Sequence, residues 1–222
     1  MEHYEQSKRL VELGMRTAIL AHETANAITS VYWTAQQVKN IIPAQHHELT
    51  NILIVEIHRL RKLLAEFRSL SGAAHLQLTM VQIPEIADHI LKTQAASWSE
   101  QGIRVIKEFS GDLGLTGDRD KLQQMVLNLC TNAVEAMPEG GILNLKAYNH
   151  GDDIVLEIRD TGIGIPEGME IFEPFATTKS TGSGVGMYVV KQIVLAHCGE
   201  IIYRSEERKG TTFRITLPKR VS

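Results

Sequence analysis

Asp160-Thr161-Gly162-Ile163-Gly164-Ile165-Pro166 is a stretch in which two closely spaced glycines follow an aspartate. The segment before it, Ile154–Asp160, alternates apolar and polar residues, so it predicts a strand that ends in a carboxylate. An aspartate at a strand end can accept a hydrogen bond from an exocyclic amine such as N6 of adenine. Gly162 and Gly164 let the backbone pass close to a flat ligand. An ordinary tight turn is the alternative interpretation of this stretch alone.

A second glycine stretch, Thr181-Gly-Ser-Gly-Val-Gly186, opens an apolar helical pattern at 187–197. Glycines at the start of a helix leave amide N–H groups facing outward, where the helix dipole favours an anion such as phosphate. A lone Gly-x-Gly-x-Gly is weak evidence by itself.

Two asparagines, Asn128 and Asn132, lie four residues apart on a predicted helix at 119–137. They border its apolar face, and helix interiors do not favour asparagine. A solvated helix edge explains the pair as well as a functional role does. In the functional interpretation, an amide oxygen coordinates Mg²⁺, a cation that prefers oxygen ligands and keeps several waters.

Between the two glycine stretches lies Ile171-Phe-Glu-Pro-Phe-Ala-Thr-Thr-Lys179. Phe172 and Phe175 can anchor a mobile lid, and Lys179 can reach terminal phosphates as a point charge. The alternative is a loop with two hydrophobic anchors and no ligand.

The order of these motifs resembles the N, G1, F and G2 boxes of the gyrase–chaperone–histidine kinase–MutL ATPase superfamily. The resemblance covers about 78–218, because Gly210-Thr-Thr-Phe-Arg-Ile-Thr-Leu-Pro218 looks like the last strand of that family. It implies an α/β sandwich of the left-handed β-α-β type that binds ATP and Mg²⁺, with Asn132 as the metal ligand. The residues that it implies around the nucleotide are Asn128, Asn132, Asp160, Gly162, Gly164, Phe175, Thr178, Lys179, Gly182, Gly184, Gly186 and Thr211.

One departure within the superfamily favours a kinase over an ATPase. The ATP-hydrolysing members carry a glutamate one turn before the metal asparagine, where it activates water, and this chain has Asn128 there. An amide has no useful basicity near neutral pH, so it is no general base. The pocket is therefore expected to hold ATP for another acceptor.

The first part of the chain predicts a helical hairpin. Apolar residues recur at helical spacing on both sides of Pro43, which favours a turn near 41–46. A long hairpin cannot bury its apolar stripe alone, so we expect a homodimer with a four-helix bundle. Near 73–79 the spacing of apolar residues changes from a helical period to short alternating segments. This change predicts a hairpin domain at 1–74 and an ATP-binding domain at 78–222.

The first helix contains Leu20-Ala-His-Glu-Thr-Ala-Asn26, which resembles the H box of histidine kinases. The resemblance implies that His22 accepts the γ-phosphoryl group, assisted by Glu23, and passes it to an aspartate of a response-regulator receiver domain. Asn26 would orient a water for phosphatase activity toward the regulator. The short lid is similar to that of nitrogen-regulation-type sensor kinases. Ala27 stands where the family usually has proline.

Two other functions stay open at this stage. One is a degenerate ATP-binding scaffold that does not phosphorylate, and the other is a protein-serine kinase of the anti-sigma type, which has no need of the hairpin. A formal net charge of -3 gives no basic excess for nucleic acid. The chain shows no membrane segment, so we expect a cytoplasmic protein whose sensor domain or sensor protein lies outside this sequence.

Overall fold

The computed structural model describes residues 24, 27–43, 46–70, 76–174, 176–177 and 184–220. The chain divides into two compact units, Met1–Ala74 and His75–Ser222. Among the described residues, no helix combines the length and the apolar character needed to cross a membrane.

Within its described residues, the first unit contains two helices, α1 at 27–41 and α2 at His47–Leu70. The chain between them turns at Pro43, where the N–H of His46 donates to the carbonyl of Pro43 over 2.9 Å. Proline has no N–H and disfavours helix in the residue before it, which explains why α1 ends there. These two helices agree with the predicted hairpin.

Both helices carry large apolar side chains that the unit leaves exposed. Ala35 and Ile57 are each only 3% exposed, whereas Trp33 is 61% and Leu49 is 71% exposed. The exposed apolar set comprises Val31, Trp33, Val38 and Ile41 on α1, and Leu49, Ile52, Leu53, Val55 and Leu60 on α2.

The second unit contains seven strands and three helices in its described residues. The elements are β1 (Leu78–Gln82), α3 (Ile83–Glu100), β2 (Ile103–Ser110), β3 (Gly114–Asp118), α4 (Arg119–Glu135), β4 (Gly141–His150), β5 (Asp153–Asp160), α5 (Gly186–Ala196), β6 (Glu200–Glu206) and β7 (Gly210–Pro218).

Five of the strands form one sheet in the order β2-β4-β5-β7-β6, and β1 pairs with β3 in a separate two-stranded sheet. Only β2 and β4 run parallel in the larger sheet. The register places Leu145, Ile158 and Phe213 side by side, and all three are buried. Alternation along the strands therefore gives this sheet one apolar face.

Helix α4 packs against both α3 and α5, and all three helices contact the larger sheet. Their buried side chains include Ile86, Leu129 and Val190, which complete the core with the apolar face of the strands. The predicted fold class, a helical segment followed by an α/β sandwich, is confirmed. Strands β1 and β3 were not predicted, since neither five-residue strand shows clear alternation.

Candidate nucleotide site

Asp160 is the last residue of β5 and is 3% exposed. Its Oδ1 atom accepts two backbone hydrogen bonds, from the N–H of Gly162 at 2.8 Å and from the N–H of Thr211 at 3.2 Å. Burial raises the pKa of the Asp160 carboxyl above its ordinary value, and these backbone N–H groups oppose the shift. Because both bonds go to Oδ1, Oδ2 remains to accept a hydrogen bond from a ligand amine.

The turn after Asp160 passes close to the protein backbone on two sides. A Cβ atom at Gly162 would lie 2.4 Å from the carbonyl oxygen of Ala136, at the end of α4. A Cβ atom at Gly164 would lie 2.5 Å from the carbonyl oxygen of Glu206, and Gly164 has a φ of +75°. The sequence analysis linked these glycines to a nearby ligand, and the structure adds that the protein backbone itself requires them.

Ser205 is a site residue that the sequence analysis missed. Its Oγ atom accepts the N–H of Ile165 at 2.8 Å and lies 2.9 Å from Oγ1 of Thr211. Ser205 thus ties the end of the glycine turn to β7, the strand that orients Asp160. Ser205 lies two residues before a turn, where serine is common, so the sequence did not identify it as a site residue.

Helix α4 presents the two asparagines of the predicted N box. Asn128 donates through Nδ2 to the carbonyl oxygen of Gly186 at 3.4 Å, so it contacts the first residue of α5. Asn132 is half-buried one turn further along, and within the described part of the chain its side chain makes no hydrogen bond. Its amide oxygen therefore remains available as a ligand for a hard cation.

A nucleotide with its metal fits the chemistry of these donors. Asp160 offers a carboxylate oxygen to an amine, and Asn132 offers an amide oxygen to a cation. The described residues contain no cluster of three or more histidine, cysteine or acidic side chains that could hold a metal ion. Mg²⁺ would thus need phosphate and water oxygens to complete its shell.

The start of α5 is the part of the site that the sequence predicts to face phosphates. Gly184 has a φ of +68°, in the left-handed region that favours glycine, and Gly186 is the first residue of the helix. The N–H groups of a first helical turn have no partner within the helix, so the start of α5 has a partial positive charge. Gly182, the remaining glycine of the predicted loop, lies outside the described residues.

The segment that leads into the predicted lid is anchored by an aromatic side chain. The ring of Phe172 meets the ring of Tyr203 edge-on with centroids 5.9 Å apart, and Nζ of Lys191 lies 5.8 Å from the centroid of Phe172. The rest of the predicted lid contacts, Phe175, Thr178 and Lys179, lie outside the described residues.

The three residues of the predicted H box, His22, Glu23 and Asn26, also lie outside the described residues. Within the second unit, the structure joins Asn128 to Gly186 and Thr211 to Asp160 by hydrogen bonds. Asn132 lies on the same helix as Asn128, and Gly184 lies two residues before Gly186.

Residues 117–221 match the family described as histidine kinase-, DNA gyrase B-, and HSP90-like ATPase. The chain is 30% identical to a mycobacterial sensor histidine kinase, MprB, whose structure has been solved. The match covers 99% of the MprB chain and 65% of this chain, with a TM-score of 0.58. This chain belongs to the histidine kinases.

Two further relatives extend the similarity over both units. Sensor histidine kinase ZraS of Salmonella typhimurium is 33% identical to this histidine kinase chain. The match covers 98% of this chain and 48% of ZraS. The chain therefore spans about half the length of that curated relative. Histidine kinase ThkA, solved in complex with the response regulator protein TrrA, is 25% identical over 98% of this chain and 65% of its own, with a TM-score of 0.68.

Proposed function

We propose that this histidine kinase chain binds ATP with Mg²⁺ in its second unit and phosphorylates itself on His22. The observation that carries the proposal is Asp160, whose Oδ1 is held by Gly162 and Thr211 while Oδ2 is left for an amine. Adenine presents such an amine at N6. The match of residues 117–221 to an ATPase family supports the same assignment.

The reaction is proposed to be phosphoryl transfer rather than hydrolysis. Asn128 cannot act as a general base toward water, and its amide already contacts Gly186 at 3.4 Å. Asn132 would hold Mg²⁺, and the start of α5 would face the phosphates. Lys179 and Thr178 would close over them from the lid, with Phe175 as a further anchor. Positioning and charge neutralisation then supply most of the rate.

The acceptor is proposed to be the imidazole of His22 on the hairpin domain, residues 1–74. A neutral ring nitrogen attacks the γ-phosphorus, the bond from that phosphorus to the β–γ bridging oxygen breaks, and ADP leaves. Glu23 orients the ring or takes the proton from its other nitrogen. The domain at 78–222 delivers the nucleotide. The exposed apolar side chains of α1 and α2 support a homodimer, because a second hairpin would cover them.

The phosphoryl group is proposed to pass to an aspartate of a response-regulator receiver domain. The solved complex of ThkA with TrrA supports this class of partner. We further propose that the chain works in the cytoplasm, receives its signal from a sensor outside this sequence, and resembles the nitrogen-regulation subgroup through its short lid. Asn26 would orient a water for dephosphorylation of the receiver, and loss of that activity in Asn26→Ala tests this role.

Incubation with γ-labelled ATP separates this function from its alternatives. A protein label that is lost in acid and stable in alkali is expected, because that is how phosphohistidine behaves. Acid-stable label would instead indicate a serine kinase of the anti-sigma type. ATP binding without any label would indicate a non-phosphorylating scaffold.

A further inference from the structure

His197 is fully buried directly after α5, and the function proposed above makes no use of it. Its Nε2 atom lies 3.0 Å from the backbone N of Asp118, and its Nδ1 atom lies 2.8 Å from the carbonyl oxygen of Ile193. A backbone N–H can only donate, so Nε2 accepts and Nδ1 carries the proton. The ring is therefore neutral and joins the end of α5 to the residue before α4.

Asp118 is held from two further directions. Its Oδ1 atom accepts the N–H of Lys121 at 3.1 Å and so caps the N-terminus of α4. Its Oδ2 atom accepts the N–H of Gln77 at 2.9 Å, just before β1. A shift of Asp118 would thus move the first turn of α4, the helix that carries both asparagines.

Helices α4 and α5 are joined at a second point, where Asn128 donates to the carbonyl of Gly186. The His197 contact joins the start of α4 to the end of α5, and the Asn128 contact joins the middle of α4 to the start of α5. The two helices therefore run antiparallel, with one polar contact at each end of the paired stretch.

The lengths between the two contacts match. Asn128 lies ten positions after Asp118, and His197 lies eleven positions after Gly186. At a rise of about 1.5 Å per residue these spans are about 15 Å and about 16.5 Å. A slip of one residue between the helices would break at least one contact, and it would move Asn132 relative to the N–H groups at the start of α5.

We propose that His197 is a positioning residue for the phosphate end of the nucleotide site, because its bond to Asp118 sets the register of α4 against α5. The inference rests on the proposed function in one respect, because its test measures the binding of ATP to the proposed site. Asp160 and Thr211 lie at the ends of β5 and β7, and the turn after Asp160 meets α4 at Ala136, the residue that follows the helix. The adenine end therefore depends on this register less than the phosphate end does.

Two substitutions of similar volume isolate the hydrogen bond. His197→Gln can place an amide oxygen where Nε2 accepts, whereas His197→Met fills the space without a good acceptor. The bond to Ile193 is a minor loss in both, since the N–H of residue 197 also donates to that carbonyl, at 3.2 Å. Where His197→Met fails to fold, His197→Asn replaces it, because its side chain is too short to reach Asp118.

The test uses the full chain and three probes: ATP with Mg²⁺, adenosine alone, and the NMR signals of the Asn128 side-chain amide. His197→Met is expected to raise the Kd for ATP about tenfold and to raise the Kd for adenosine by a clearly smaller factor. It should also shift the signals of the Asn128 amide, which lies about 15 Å along α4 from Asp118. His197→Gln should match the wild type in all three.

Three results would overturn the proposal. They are unchanged ATP affinity in folded His197→Met, equal losses of ATP and adenosine affinity, and Asn128 signals that stay in place. A wild-type chain that binds no ATP would instead refute the proposed function, and the Asn128 signals would still report on the register.

Discussion

The backbone N–H of Thr211 donates to Oδ1 of Asp160 over 3.2 Å, so the strand β7 orients the carboxylate at the end of β5. Both N–H partners of this carboxylate belong to backbone that is closely packed. A Cβ atom at Gly210, beside Thr211, would lie 2.1 Å from the carbonyl of Asp160. The carboxylate is therefore set in direction before any ligand arrives, which is the preorganisation that binding favours.

Asp160→Asn should weaken ATP binding at least about tenfold, because an amide nitrogen in place of Oδ2 meets the N6 donor of adenine. The unliganded protein should not lose stability. Burial raises the pKa of Asp160, so the charged form is disfavoured in the fold at neutral pH and its removal relieves that cost. Calorimetric titration and urea unfolding measure the two effects.

Asp153→Asn is the matched control, since Asp153 begins the same strand at its other end. It should leave ATP affinity unchanged. Equal affinity for ATP in Asp160→Asn and in the wild type would contradict the assigned adenine contact.

Gly162→Ala should lower the free energy of unfolding by about 1–3 kcal/mol, because its Cβ would meet the backbone of Ala136 at 2.4 Å. Gly186→Ala provides the comparison, since nothing lies within 4 Å of a Cβ there. Its stability should stay within about 0.5 kcal/mol of the wild type. Urea unfolding followed by circular dichroism measures both. Similar stabilities for the two variants would show that the turn does not pack as described.

Cys130 should resist thiol reagents in the native protein. Burial raises the pKa of its thiol to about 12, so the reactive thiolate is scarce at pH 8, whereas Cys198 is exposed. Mass spectrometry after brief labelling should find the modification on Cys198 alone. Rapid labelling of Cys130 without denaturant would show that α4 opens more readily than its burial implies.

The same shift fixes the direction of a pH effect. The pKa of Cys130 is higher in the fold than its ordinary value of 9.0, so the neutral thiol is favoured there. The contribution of Cys130 to the free energy of unfolding is fully present below pH 9, and it is lost as pH rises from about 9 toward 12. The alkaline loss should be smaller in Cys130→Ala than in the wild type.

Much of the second unit could be predicted from sequence because its signals are local. The alternation at Ile154–Asp160 predicted β5, and the apolar pattern at 119–137 predicted α4, within one or two residues of their observed ends. Strand β3 could not be predicted this way. Its sequence, Gly114-Leu-Thr-Gly-Asp118, contains two glycines, and only pairing with β1 makes it a strand.

The contacts between elements were beyond the sequence. Asn128 was identified as the residue in place of a general base, and its bond to Gly186 depends on how two helices pack. His197 has no metal-binding spacing, and its role emerges only when Asp118, 79 residues away, is brought beside it. Such long-range pairs carry no local period or motif.

We propose that ATP transfers its γ-phosphoryl group to His22, and labelling of the His22→Ala variant measures this transfer. The wild type and a control variant, His150→Ala, should incorporate acid-labile label from γ-labelled ATP. His22→Ala should incorporate none, while it binds ATP with unchanged affinity. Acid-labile label on His22→Ala at the level of the wild type would contradict the claim.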